Sequence, residues 1–469
     1  MFIPLVPLCI SCILPSLASS TRLIRRRLSG FHAPASPTAM ATRASVRPGM
    51  MPRADLPPRI FSDVPGTWAH DTMSRRVRDE ILSRIYEENP SLPPSCIRQL
   101  DELKAELQQP GVSKLRHIRE SDGGPDKDVW RELLGEWVDK GATWLSAPWL
   151  ITEFYFYRRV LEAVDWYQTQ IDPFEQQKKA GLADSMPSIE ALAQKSLDES
   201  DPDQSMGLHL HVFASLWGNK MDLSLWPSSA DSQQNHARHV DQAMSEGSAM
   251  LLADDFAVMW DSIRGQLPLA RVDMVADNAG FELVSDMCLA DCLVRCGIAK
   301  KVVFQLKEQP VFVSDAMPKD AEQTIDYMAS LTDADKYPSC VKIAQRLRSY
   351  VDENKWQFNC DGFWNQPYAF WEMPPGLRQT LANESSMMIV KGDCNYRRLL
   401  GDRYWPLSTP FSDVVTYSPT RMLALRALKA ELGCGMAADK TQKAAESDPK
   451  WMVNGRWGVV QFYDPFVSG

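Results

Sequence analysis

Three acidic positions stand where short apolar runs of the second half of the chain stop. Arg271–Ala276, carrying Val272, Met274 and Val275, stops at Asp277-Asn278. Phe312–Ser314 stops at Asp315, and Met387–Val390 leads through Lys391-Gly392 to Asp393. Read as strands of a parallel sheet, such runs place their carboxyl ends along one edge, the edge beyond which ligands bind in α/β folds. Carboxylates that meet there repel one another, and a hard, oxygen-binding cation relieves the repulsion. An Asp-Asn pair after a strand is also an ordinary cap for the following helix. Three tips together, with Asp393-Cys394-Asn395-Tyr396-Arg397 at one of them, favour a shared site over three separate caps.

The elements needed to hold those tips are legible in outline. Lys301–Leu306 reads as a second strand and Phe312–Ser314 as a short third, with helical patterns between the strands. That alternation implies an α/β fold whose mostly parallel sheet is covered on both faces. The preceding part, from about Asp63 to Ser262, has a helical period instead. Val77, Ile81 and Ile85 share one face within Thr72–Tyr86, and Leu150, Phe154, Tyr157 and Leu161 recur within Trp149–Trp166, the spacing of buried helix faces. Trp226–Glu246 is polar and reads as a surface loop. The expected division is a leader over 1–55, a helical domain over 63–262 and an α/β domain over 266–469.

With 469 residues, 44% hydrophobic and 24% charged, the chain has the composition of a globular protein with a large core. Its net charge of -9 excludes nucleic acid as an expected partner, since that field repels phosphate backbones. Seven arginines precede the first acid, Asp55, which leaves the remainder more acidic still. The apolar run Phe2–Ala18 is short and interrupted by prolines, so a removable or untranslated leader is expected, with no stable membrane span after its removal and a cytoplasmic location, mitochondrial or secretory targeting being left open by the acid-free N-terminal extension. Met40, Met50 and Met51 offer later starts. Ten cysteines without a close even framework argue for a reducing compartment. Cys288, Cys292 and Cys296 read as small buried helix residues, and the pairs His209/His211 and His236/His239 lack the further ligands of a zinc site.

The motifs resemble those of the metal-dependent damage-control phosphatase family, once a domain-of-unknown-function group, in the subgroup of sugar phosphate phosphatases to which the label acidic residue methyltransferase is also attached. Asp277–Asp286 with Leu289–Asp291 is similar to its first motif, Phe312–Asp315 to its second, and Lys391–Arg397 with Gly401-Asp402 to its third. Ser215–Asp222, Pro148–Leu150 and Tyr157–Arg159 extend the likeness, which runs from about residue 65 to the C-terminus. The resemblance implies a helical N-terminal domain packed on a three-layer α/β/α sandwich. It also implies a small-molecule sugar phosphate as substrate, such as fructose 1-phosphate or fructose 6-phosphate, hydrolysed with Mn²⁺ or Ni²⁺, or with Co²⁺ or Mg²⁺.

Carried over by that resemblance, Asp277, Asn278 and Asp315 are the metal ligands, and Asp277, Asp315 and Lys429 the catalytic set. Asp277, Asn278, Asp393, Cys394, Asn395, Tyr396, Arg397, Arg426 and Lys429 surround the substrate, with Arg397 offered as a bidentate clamp for phosphate or hydroxyls. Either a water or Asp277 itself attacks phosphorus, two routes that share the same ligands. The subgroup's Arg-Thr-x-Lys motif here reads Arg426-Ala427-Leu428-Lys429, without the hydroxyl, and is read as one face of a helix continuing through Ala430-Glu431. A competing reading is methyl transfer from S-adenosylmethionine to protein glutamate. It has weak support, since only Gly280 stands in the turn after the first strand, Gly433-Cys434-Gly435 is read as following a helix, and Glu308 is the one candidate for a ribose.

Overall fold

Seven strands make the sheet that positions the site in this computed structural model, which describes residues 51–197, 204–218, 247–331, 336–467. They are β1 (Leu251–Asp254), β2 (Val272–Val275), β3 (Val302–Leu306), β4 (Trp356–Cys360), β5 (Met387–Lys391), β6 (Arg421–Ala427) and β7 (Gly458–Tyr463). Their order is β1-β7-β6-β5-β2-β3-β4. Pairing is parallel from β6 to β4, while β7 runs antiparallel to β6 and β1 parallel to β7. The fold is therefore α/β with a mostly parallel sheet. β1 lies inside the stretch expected to be helical, and the described residues belong to one compact unit.

Period-2 alternation sorts each strand's side chains into two cores. Val275, Met388, Val390, Met422, Ala424 and Val459 join one, packed with helical residues between Ile60 and Phe174. Val272, Met274, Met387, Ile389, Leu423, Leu425 and Val460 join the other, with Met186, Leu208, Phe213 and Met287. β2, β3 and β5 are buried along their whole length. Continuous burial explains their mainly apolar runs, as expected of parallel strands covered on both faces, and the buried polar residues Asp273 and Gln305 bond to each other, with Arg271 on Asp273.

Helix α1 (Trp149–Ala163) is buried at every position, which accounts for its crowd of aromatics. Its start is tied to the far end of the chain, since Leu150 N–H donates to Asp402 Oδ2 at 3.0 Å. Before it, Thr72–Leu82 is a π-helix continued by an α-helix over Ser83–Glu88, where one continuous helix was expected. Helix α2 (Gln204–Trp217) packs on helix α3 (Phe281–Arg295), which follows β2, and helix α4 (Asp393–Leu399) follows β5. Among the described residues no helix is long and apolar enough to cross a membrane.

Two expectations are corrected. Phe312–Ser314 is not a strand. Phe312 and Val313 have φ 49° and 68°, and Ser314 N–H donates to Phe312 O at 2.7 Å, closing a γ-turn around Val313. Packing of Phe312 against Phe154 and Tyr157, each at 4.8 Å between ring centres, outweighs its local β preference. Arg426–Glu431 is not a helix either, because β6 runs to Ala427 and Lys429 sits in the loop beyond it. Gly433-Cys434-Gly435 thus follows a strand and a loop.

Of the three cysteines read as buried helix residues, Cys296 is only half-buried and stands just past the end of α3. Cys288 and Cys292 are buried in α3. His209 stacks on Phe256 at 4.0 Å, whereas His211 is fixed by Ser196 at 3.1 Å and Gly207 O at 2.8 Å. His236, His239, the 226–246 loop and residues 1–50 lie outside the described residues.

Candidate functional site

The sequence order of the strands makes β2 and β5 neighbours although one follows the other by more than a hundred residues, and the crevice at such a topological switch is where α/β sheets bind ligands. Asp277 leaves the tip of β2 and Asp393 the tip of β5. Asp315 reaches the same place from the strained turn, held there because Ala316 N–H donates to Asp277 O at 2.8 Å and Ala279 N–H to Ser314 O at 2.7 Å. Asn278 and Asp315 form a backbone bridge. Gly392, at φ 86°, lies where a β-carbon would meet Asp277 Cγ at 2.1 Å. Only glycine permits that approach.

Asp277 and Asp315 are both buried. Burial pushes the Asp277 carboxyl well above the ordinary range, Asp315 and Glu282 push it further, and Lys429 and Lys307 pull it back. Asp315 is pushed up to about 6, again chiefly by burial, with Lys307 opposing. Two facing buried carboxylates cannot both carry charge cheaply, and a cation between them removes the conflict. Asp315 Oδ2 has no hydrogen bond and lies 3.4 Å from Lys307 Nζ. Asn278 Nδ2 donates to Asp277 Oδ2 at 2.8 Å and Glu282 Oε2 at 2.9 Å, and its Oδ1 accepts from Ser314 Oγ at 2.5 Å. Two carboxylates and an amide oxygen, one carboxylate oxygen without a donor, fit a hard divalent ion. Among the described residues no three His, Cys, Asp or Glu side chains gather as a metal cluster.

A cavity of about 380 Å³ opens over these groups. Asp277, Asn278, Asp315, Asp393, Cys394, Arg397 and Lys429 line it, so most of the expected site converges. The Lys429 backbone N–H donates to Asp393 Oδ1 at 2.9 Å, while its ammonium makes no ion pair among the described residues. Thr72, Arg76 and Glu80 of the π-helix and Trp149, Glu153 and Tyr157 of α1 form the opposite wall.

Four expected substrate contacts are corrected. Asn395 and Tyr396 do not line the cavity. Asn395 Nδ2 donates to Lys391 O at 2.9 Å and Ala276 O at 3.2 Å, joining the two strand tips, and Tyr396 Oη donates to Gln461 Oε1 at 2.6 Å. Arg426 is fully buried, its guanidinium spent on Asp393 Oδ1, Leu432 O and Ala430 O. Arg397 does line the cavity, but its nitrogens bind Asp402 and Glu153 and its guanidinium lies 3.5 Å over the Trp149 ring, leaving no fork free for phosphate. Glu308 is also away from the cavity, its N–H on Asn365.

Sequence reasoning missed the charges behind and above the acids. Lys391 Nζ is buried against Asp286 Oδ1 at 3.1 Å, Glu282 Oε1 at 3.3 Å and Ser215 O at 2.7 Å, thereby fixing Glu282 against Asn278. Lys307 stands one residue past β3, so the strand-tip rule that found the acids would also have found it. Arg76, stacked at 4.4 Å on Trp68, had no such signal.

Residues 69–444 match the sequence family described as damage-control phosphatase ARMT1-like domain. The chain is 30% identical over 447 residues to damage-control phosphatase ARMT1 of Danio rerio, covering 87% of this chain and 98% of that one. To the Homo sapiens protein of that name it is 30% identical over 427 residues, covering 84% and 92%. A crystal structure of a DUF89 family protein from Pyrococcus horikoshii shares 15% identity at a TM-score of 0.37, covering 72% of this chain and 95% of that one, a distant likeness. The family match takes in every one of the strand-tip acids, the glycine that lets them close and the lysine across the cavity, and the chain belongs to the damage-control phosphatase ARMT1-like family.

Proposed function

We propose that the protein hydrolyses sugar phosphates of the fructose 1-phosphate or fructose 6-phosphate kind with a divalent metal, Mn²⁺ or Ni²⁺ in first place and Co²⁺ or Mg²⁺ as alternatives. The observation that carries this reading is the gathering of Asp277 and Asp315, two buried carboxylates of which the second pushes up the pKa of the first, on the same cavity as the Lys429 ammonium, which makes no ion pair among the described residues. Asp277, Asn278 and Asp315 would hold the metal, which when bound supplies Lewis-acid polarisation of a phosphoryl group.

The chain's own groups supply the rest. Lys429 is a point charge for a phosphoryl oxygen, held in place through its backbone by Asp393. Lys307 and Lys391 balance the buried acids from behind and keep Asp315 and Glu282 oriented. The π-helix and α1 roof the cavity against bulk water, which strengthens every charge inside it. Arg397, clamped by Asp402 and Glu153, fixes α4 to α1 and so holds Asp393.

The test is hydrolysis of fructose 1-phosphate by the full chain in excess chelator and after Mn²⁺ is restored, with calorimetric titration of Mn²⁺ alongside. Activity lost on chelation and recovered with about one ion bound is the expected result. Full turnover in excess chelator would remove the metal from the reading, and no turnover of any sugar phosphate with Mn²⁺ bound would remove the substrate class.

A further inference from the structure

Trp149, Glu153 and Tyr157 face the cavity from one stripe of α1, each four residues from the next. The stripe has two polar groups to spare. Tyr157 is buried, 4% exposed, and its ring is wedged between Phe312 at 4.8 Å and Phe174 at 6.1 Å, with Phe156 at 5.0 Å. Its hydroxyl nevertheless has no hydrogen-bond partner among the described residues, and the charged or ionisable groups acting on it, Glu153, Asp315, Arg76 and Cys394, all line the cavity. Burial holds the phenol in its protonated form, so it is a donor at neutral pH.

Glu153 supplies the complement. Its Oε2 accepts from Arg397 Nη1 at 2.5 Å, while its Oε1 takes no hydrogen bond among the described residues. A donor and an acceptor one helical turn apart, on a wall facing the phosphate end of the cavity, match a chain of hydroxyl groups, each of which can both give and accept a hydrogen bond. With no partner among the described residues, the hydroxyl is left free to bind a group that enters the cavity.

We infer that Tyr157 and Glu153 are specificity-determining residues that bind hydroxyl groups on the part of the substrate that departs as alcohol, so that the cavity selects polyhydroxylated phosphomonoesters over phosphomonoesters without hydroxyls. This rests on the phosphatase reading above. It adds the residues that read the sugar.

The test compares fructose 1-phosphate with phenyl phosphate, which has a leaving group without further hydroxyls, for the Mn²⁺-loaded wild type, Tyr157→Phe and Glu153→Gln. Tyr157→Phe removes one oxygen and no internal hydrogen bond, so its Tm stays at the wild-type value. The ratio of kcat/KM for the two substrates falls about tenfold, the worth of one hydrogen bond, mainly through KM of the sugar phosphate. Glu153→Gln moves the ratio in the same direction. An unchanged ratio in both variants overturns the inference and leaves the phosphatase reading standing, as does a fall in Tm of Tyr157→Phe with equal losses on both substrates. Failure of the wild type to hydrolyse either substrate overturns the phosphatase reading, and this inference with it.

Discussion

Gly392 and Asp277 meet so closely that the space of one methyl group separates a competent arrangement from a broken one. A β-carbon at Gly392 would stand 2.1 Å from both Cγ and Oδ2 of Asp277, and φ of 86° adds backbone strain to any side chain placed there. Gly392→Ala therefore pushes the Asp277 carboxyl off its place. Mn²⁺ affinity should fall, and turnover of fructose 1-phosphate should drop about 100-fold, the scale on which a misplaced electrostatic group acts in catalysis. Wild-type kinetics in this variant would show that Asp277 is free to move without consequence.

Asp277→Asn keeps the volume and removes one of the two carboxylate charges of the proposed metal site. Turnover should fall roughly 100- to 1000-fold, about 3 to 4 kcal/mol, and saturating Mn²⁺ should restore it only in part. Asp315→Asn should weaken Mn²⁺ binding by calorimetry as well, since it removes the second carboxylate charge of the proposed metal site. Normal metal affinity in both variants would place the ion elsewhere.

Lys429 and Asp393 should separate function from stability. Lys429→Ala removes a cation with no ion pair among the described residues, so KM should rise and kcat fall with Tm and Mn²⁺ affinity unchanged. Asp393→Ala instead strands the fully buried Arg426, which should cost about 3 to 5 kcal/mol of stability, measured by urea unfolding. An Asp393→Ala protein as stable as wild type would contradict the paired role.

His211 gives the fold a dependence on pH. Burial pushes its imidazole down to about 4, so as pH falls the unfolded chain takes up the proton before the folded one does. Stability is full above about pH 6.5 and is lost from there down to about pH 4, by on the order of 3 kcal/mol in all. Urea unfolding of wild type and His211→Gln across that window should show a steeper fall in the wild type. Parallel curves would mean that His211 is protonated equally in both states.

The strand tips were readable because their signal is local. A mainly apolar run leading to Asp277, or through Lys391-Gly392 to Asp393, reports both a buried parallel strand and what its end carries. The turn at Phe312–Val313 defeated the same logic, since β-branched and aromatic residues mark a strand unless distant rings, here Phe154 and Tyr157, claim them. Arg426–Glu431 misled for a related reason: its first two residues are claimed by the ladder of β6 with β7, which overrides their helix preference. Arg397 shows a third limit. Its residue type promised a phosphate fork, yet the carboxylates that occupy it, Glu153 and Asp402, include one 244 residues away. The roof residues Arg76, Glu153 and Tyr157 belong to helices whose docking no local pattern states.

The bond from Leu150 to Asp402 spans 252 residues of chain, and it fixes when this protein can begin to work. During synthesis α1 is complete long before its anchor exists, and Lys429 is added later still. Neither the roof nor the floor of the cavity can close on a nascent chain until the last third has left the ribosome, because contacts this distant in sequence form late. A stalled or truncated product ending before Asp402 would carry Asp277 and Asp315 without the tether and without Lys429. Such a product is expected to lack the closed cavity, which ties the assembly of the site to nearly the whole length of the polypeptide.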